Sequence, residues 1–265
     1  MLPLLGFAVW GQNAQTPRFA AKPSAIPGVV VEGPDDGAYA DAIEANLGPE
    51  RTAETNSWLP FAVIVTNNTS QGILAFAGRW ILTDPRGGKT ELVMTRALFQ
   101  APLSQVGPGQ AVVFLPIRIL AARNPGLGLP IGSADYQPDE LHRFQSAQKI
   151  RFTLDGVVFT SGQFVGPDFV REYGQLRAES TAGYQLATAL IARRDAGTPL
   201  PDILRWLQET AATRPGGPFG TRNWDAAVTS REAASYLRRY QSGGEEVMYR
   251  LAQERLSLPH LTVYR

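Results

Sequence analysis

Residues Lys149–Asp168, KIRFTLDGVVFTSGQFVGPD, decide the fold. Ile150, Phe152 and Leu154 alternate with Arg151, Thr153 and Asp155. That period of two marks a strand with one face in an apolar core. Asp155-Gly156 interrupts the alternation, and Val157, Val158 and Phe159 resume it. Ser161-Gly162 is a turn, Phe164 and Val165 begin a return strand, and Gly166-Pro167-Asp168 stops it. Upstream of this stretch the chain reads as sheet, and downstream as helix.

The upstream strands are short and punctuated. Ser57–Thr66 alternates, with Phe61, Val63 and Val65 on one side, and Asn67-Asn68-Thr69-Ser70 is a polar turn. Gly72–Thr83 is the next strand, with Trp80 near its end, and Asp84-Pro85-Arg86-Gly87-Gly88 is a turn. Thr90–Gln100 and Ala111–Ala121 read as strands separated by Gly107-Pro108-Gly109, and Asn124–Pro138 reads as a long loop. No helical crossover separates the central strands, so an antiparallel sheet is expected and a doubly wound one is not.

This order of strands and turns resembles the immunoglobulin-like or fibronectin-type β-sandwich modules of exported bacterial proteins. The segment Asp155–Asp168 also resembles the end of the sandwich in a group of uncharacterised exported bacterial proteins. The resemblance implies an antiparallel immunoglobulin-like β-sandwich over residues 57–166 and implies no activity. The chain has no cysteine, so the disulfide of antibody-type domains does not carry over, and a sandwich by itself fixes no function.

Residues 167–265 read as a helical region, giving the fold class α+β. Phe169, Tyr173, Leu176, Ser180, Tyr184, Ala187 and Ile191 recur at three- or four-residue steps, predicting a helix over Pro167–Ala196. Gly174 and Gly183 inside it mark a close packing or a kink. Leu200–Thr213 is a second helix. Thr229-Ser230-Arg231-Glu232 reads as a capping box for a third, and Gly243-Gly244 separates it from a fourth that Glu245 opens. Leu261–Tyr264 is a short terminal strand. Residues 15–56 form a proline-rich leader with a helix over Asp35–Leu47.

Leu2–Trp10, within residues 1–14, is an apolar run too short for a bilayer, which takes roughly 20 residues. It resembles the apolar core of a secretory signal cleaved after Ala14, although no Lys or Arg precedes it. The alternative is a buried N-terminal strand. Formal net charge is +1, which provides no global field for nucleic acid. The absence of cysteine excludes disulfide scaffolds, thiolate nucleophiles and thiolate metal sites. Two histidines, His142 and His260, leave little room for a multi-histidine centre.

Asp139, Glu140 and His142 form a sequence-local carboxylate–imidazole group suited to acid–base chemistry or a metal. No third ligand is identifiable, and the bland reading is a surface loop or single helical turn. Asp35/Asp36 and Glu245/Glu246 sit at expected helix starts, where the dipole favours them. Asp225 and His260 lack a nucleophile elbow. Arg193-Arg194 and Arg238-Arg239 are candidate anion contacts. Trp206, Trp224, Tyr236, Tyr240 and Tyr249 are aromatic, and aromatics beside arginine suit a protein or glycan partner. The expected binding set is Trp206, Trp224, Tyr236, Tyr240, Arg238 and Arg239. The expected function is an exported (periplasmic or extracellular) bacterial binding or structural protein, non-enzymatic, with no cofactor, no metal and no transmembrane span. Alternatives are a hydrolase built on Asp139, Glu140 and His142, and a cytosolic protein-interaction module.

Overall fold

The computed structural model describes residues 18–37, 39–47, 53–97, 105–116, 138–169, 171–213 and 224–263. The Leu2–Trp10 run, most of the Asn124–Pro138 loop and the Arg214–Gly220 loop lie outside them. The architecture is mixed α+β, with two open sheets first and a helical region last.

The organising stretch forms β7 (Lys149–Phe159), an unbroken strand, and β8 (Gln163–Val165). The expected interruption at Asp155-Gly156 is a β-bulge: Ala77 pairs with Gly156 and Gly78 with Leu154, so Asp155 is the extra residue. Gly156 is needed because a side chain there would collide with the Phe164 ring of the returning β8. β7 pairs along its length with β4 (Ile73–Thr83), which pairs with β5 (Lys89–Ala97); all of these run antiparallel. The β4–β5 turn is closed by Asp84, whose Oδ1 accepts from Arg86 N and Gly88 N.

Two pairings depart from the antiparallel expectation. β1 (Arg18–Ala21) runs parallel to the first half of β7, and β9 (Thr262–Val263) runs parallel to β8. The six-stranded sheet is therefore mixed in direction. Local patterning carries no information on such pairings, which join residues more than 90 positions apart. The leader is also more structured than its prolines suggest. Phe19, Ile26, Val29, Val31, Tyr39 and Ile43 all enter the main core.

The second sheet is antiparallel, β2 (Val29–Glu32), β3 (Val63–Asn67) and β6 (Ala111–Phe114). It meets the first sheet through Phe114, whose ring lies 4.7 Å from Phe76, 5.0 Å from Trp80 and 6.0 Å from Phe152. Trp80 is fully buried and donates Nε1–H to the Phe61 carbonyl at 2.9 Å. Asn67 organises the first turn: its Nδ2 donates to Gln71 O and Val106 O, and its Oδ1 accepts from Thr69 N and Oγ1. Buried and fully engaged, it is a structural residue.

α1 (Tyr39–Leu47), the helix expected over Asp35–Leu47, lies between β2 and β3; α2 (Ala53–Trp58) and a short 3-10 turn, Leu59–Phe61, follow and reach into the expected strand region. The expected Ser57–Thr66 strand therefore begins at Val63. α3 (Pro138–Ser146) precedes β7. It presents Leu141 and Phe144 inward, and Phe144 meets the Trp58 and Phe61 rings at 5.5 and 5.1 Å.

α4 (Glu172–Asp195) starts five residues later than Pro167. Asp168 and Arg171 have φ of 48° and 58°, left-handed values that exclude a helix there. Asp168 Oδ1 instead accepts from Tyr173 N at 3.1 Å, and buried Asp155 Oδ1 accepts from Phe169 N at 3.1 Å. The first turns of α4 pack Leu176 on Leu74, Val158 and Phe164 of the sheet. Its later turns join α5 (Leu200–Ala212) and α6 (Trp224–Ser257) around Leu190, Leu207, Tyr236 and Met248. Gly183 faces Arg255, which borders the space a side chain would fill; Gly174 is exposed, and a side chain there would meet no atom of the described residues within 4 Å.

α6 is two helices. Glu232 and Arg255 are 23 positions apart and bonded at 2.8 Å; a straight helix would hold them about 34 Å apart. The chain reverses at Gly244, whose φ of 74° and ψ of −166° only glycine adopts readily. The break expected at Gly243-Gly244 and the fourth helix from Glu245 are thus present as two arms of a hairpin. The first arm starts at Trp224, upstream of the expected cap. Ser230, inside it, donates to the last-turn carbonyl of Ala211 in α5, and Glu232 pairs with Arg255.

At the junction of sheet and helices, half-buried Glu172 accepts a hydrogen bond from Thr95 Oγ1 at 2.6 Å. Burial raises its pKa, outweighing that bond, and Glu179, Asp168 and Asp155 raise it further. A raised carboxyl binds its proton more tightly folded than unfolded. Its contribution favours the fold at low pH and is lost as pH climbs through the folded value. Glu172→Gln, which keeps an acceptor for Thr95, is expected to raise the thermal midpoint at pH 7. The gain should shrink as pH is lowered toward about 4, the ordinary glutamate range. Equal effects at both pH values would contradict this account.

A candidate binding groove on the helical bundle

The end of α4 carries two arginines that stack on aromatic rings, one on the second α6 arm and one on α5. Arg194 lies over the Tyr249 ring at 5.1 Å, and Tyr249 is otherwise buried. Arg193 lies over the Trp206 ring at 3.9 Å. Each stack holds an arginine against an aromatic face at the bundle surface, worth about 0.5–1 kcal/mol when exposed. Arg194 also bonds Asp195 Oδ1 through Nε and Nη2.

Beside the Arg194–Tyr249 stack an open groove is lined by Arg194, Glu245, Glu246, Tyr249, Arg250 and Gln253. It presents an aromatic edge with both signs of charge. Burial and then the Glu245 carboxylate raise the Tyr249 pKa, so its hydroxyl stays protonated as a donor. The second concavity, among Ser180, Tyr184, Arg255, Leu258, Pro259 and His260, is too small for more than a water.

The expected binding residues differ in burial: Trp206 and Tyr240 pack against the cluster that contains Tyr236. Trp206 is half-buried beneath Arg193, and Tyr240 packs its ring against the bundle core. Arg238 is exposed and Arg239 half-exposed on the first arm. Tyr236 is fully buried beside Glu232 and Arg255, and burial drives its hydroxyl pKa up. It is a core residue and touches no surface. Trp224 opens the first arm, and its side chain lies outside the described set, as does that of Asp225. Sequence reading named Tyr249, Arg194 and Glu245/Glu246 separately and missed their convergence. The hairpin at Gly244, which brings the second arm back along α4, creates it.

Asp139, Glu140 and His142 lie on α3, with Asp139 and His142 on its exposed side. Among the described residues no three His, Cys, Asp or Glu side chains are grouped to hold a metal. His260 is exposed and lies against Tyr184, ring centroids 4.6 Å apart. Among the described residues no helix is long and apolar enough to cross a membrane. Comparison with protein-family models, with curated proteins and with solved structures returns no match.

Proposed function

We propose that the protein is an exported bacterial binding protein that acts without catalysis and engages a polypeptide through the groove on its helical bundle. The observation that supports this is the groove's chemistry. An aromatic ring capped by Arg194 stands beside Glu245, Glu246, Arg250 and Gln253. Paired charges of both signs around an aromatic anchor suit a peptide carrying its own acidic and basic groups. A neutral glycan would use the stacked rings and leave the charges idle.

In this reading the two facing sheets are an immunoglobulin-like module that carries the bundle. The aromatic layer of Trp80, Phe114 and Phe152 supports it. The parallel β1–β7 and β8–β9 pairings are its departures from such modules.

The test is a peptide array probed with the purified chain. Arg194→Ala and Tyr249→Ala are expected to lower capture at the same spots at least tenfold, the loss of an interface anchor. His142→Ala is expected to change nothing. Capture indifferent to both groove variants would remove the groove from the proposal. Hydrolysis of esters, glycosides or phosphoesters that His142→Ala abolishes would replace it with the hydrolase reading. Intact mass of the native protein tests export, since cleavage after Ala14 removes the first 14 residues.

A further inference from the structure

We propose that the six-stranded sheet docks on an anionic lipid surface through the uncovered end of its outer face, at Arg18, Lys89, Lys149 and Arg151. Paired residues on neighbouring strands share a face, and burial shows which face is outer. Ile150, Phe152, Trp80 and Leu82 are buried, while Lys149 is exposed and Arg151, Arg79 and Ile81 are half-exposed. Register then sets the outer residues in rows. Arg18, Lys149, Thr83 and Lys89 form one row, and Ala20, Arg151, Ile81 and Glu91 the next. Thr153, Arg79 and Val93 form a third. Lys22, exposed at the end of β1, extends the first edge. The chain has only three lysines, Lys22, Lys89 and Lys149, and all lie at this face.

The charges here are unbalanced although the whole chain carries only +1. Glu91 is the exposed carboxylate within the rows, and it is bonded to Arg79 at 3.2 Å. Arg18, Lys22, Lys89, Lys149 and Arg151 make no ion pair among the described residues. Arg18 and Lys149 are direct cross-strand partners, an arrangement of like charges that costs stability. An external anion removes that cost.

Two features favour a lipid surface over nucleic acid. The cations spread across β1, β7 and β5 of a sheet, whereas single-stranded nucleic acid is held in grooves with stacking aromatics. An apolar side chain also adjoins the face: Phe169 is 65% exposed beside Arg79, which lies 5.0 Å from its ring centroid. Basic residues together with apolar insertion are the paired signals that hold proteins on bilayers. The proposal does not depend on the peptide groove, which lies on the helical bundle.

The test is flotation of the full chain with vesicles of phosphatidylcholine alone or mixed with phosphatidylglycerol. Binding is expected only to the anionic vesicles and is expected to fall with added salt. Neutralising three cations in Lys89→Gln/Lys149→Gln/Arg151→Gln should weaken it about a hundredfold. Lys149→Gln alone should weaken it about fivefold, which keeps the test usable if the triple variant does not fold. Equal binding to neutral vesicles, no binding, or binding unchanged by these variants would overturn the proposal. So would tighter binding to a single-stranded oligonucleotide than to anionic vesicles at the same salt.

Discussion

Replacing Arg255 by methionine is expected to destabilise the protein by about 3–5 kcal/mol, the cost of stranding a buried charge. Glu232 and Arg255 retain 5% and 6% of their side-chain exposure. Without Arg255 the Glu232 carboxylate stays in the bundle beside Tyr236, whose hydroxyl has no hydrogen-bond partner among the described residues. Denaturant unfolding of both proteins measures this. The double variant Glu232→Leu/Arg255→Met separates charge from packing, because replacing a buried pair with apolar groups is often neutral or stabilising. If the double variant is as unstable as the single, the pair does not hold the hairpin. Gly244 permits the reversal, and the pair sets the register in which the second arm returns along α4 and completes the groove.

The reading from sequence succeeded where a residue's role was decided by its neighbours in the chain. The alternation of Ile150, Phe152 and Leu154, the disruption at Asp155-Gly156, the Asp84–Gly88 turn and the break at Gly243-Gly244 are local, and each has its counterpart in the fold. It failed where tertiary contacts chose between local options. Ser57–Phe61 is apolar enough for either strand or helix, and packing of Trp58 and Phe61 on Phe144 of α3 selects helix. The sequence over α3 reads as a loop or a single turn. Its inward stripe is short, Leu141 and Phe144, and a helix of nine residues owes its stability to that docking. Tyr236 and Tyr249 look alike in sequence, yet one is sealed between charged partners and the other lines a groove. The difference follows from the hairpin, which no local pattern encodes. The cation rows on the outer sheet face were illegible for the same reason, since β1 and β5 reach them from distant parts of the chain.

Trp80→Ala is expected to cost about 3–5 kcal/mol, the range for deleting a large buried aromatic. Trp80 is fully buried, with Phe152 at 4.7 Å and Phe114 at 5.0 Å, and so joins the two sheets. Its loss also leaves the buried Phe61 carbonyl without the indole donor, which alone costs about 1–3 kcal/mol. Trp80→Phe keeps most of the ring contacts and loses that bond, so its cost should fall in the lower range. The ratio of the two losses, read from denaturant midpoints, apportions the site between packing and hydrogen bonding. Hydrogen exchange locates the damage. Trp80→Ala should accelerate exchange in β3, β4, β6 and β7, and least in α5, which packs on α4 and α6 around a separate core. Acceleration spread evenly over α5 and the strands would mean that the aromatic layer and the bundle unfold together. In that case α4, anchored at one end by Leu176 on the sheet and at the other by Leu190 in the bundle, transmits the loss from one core to the other.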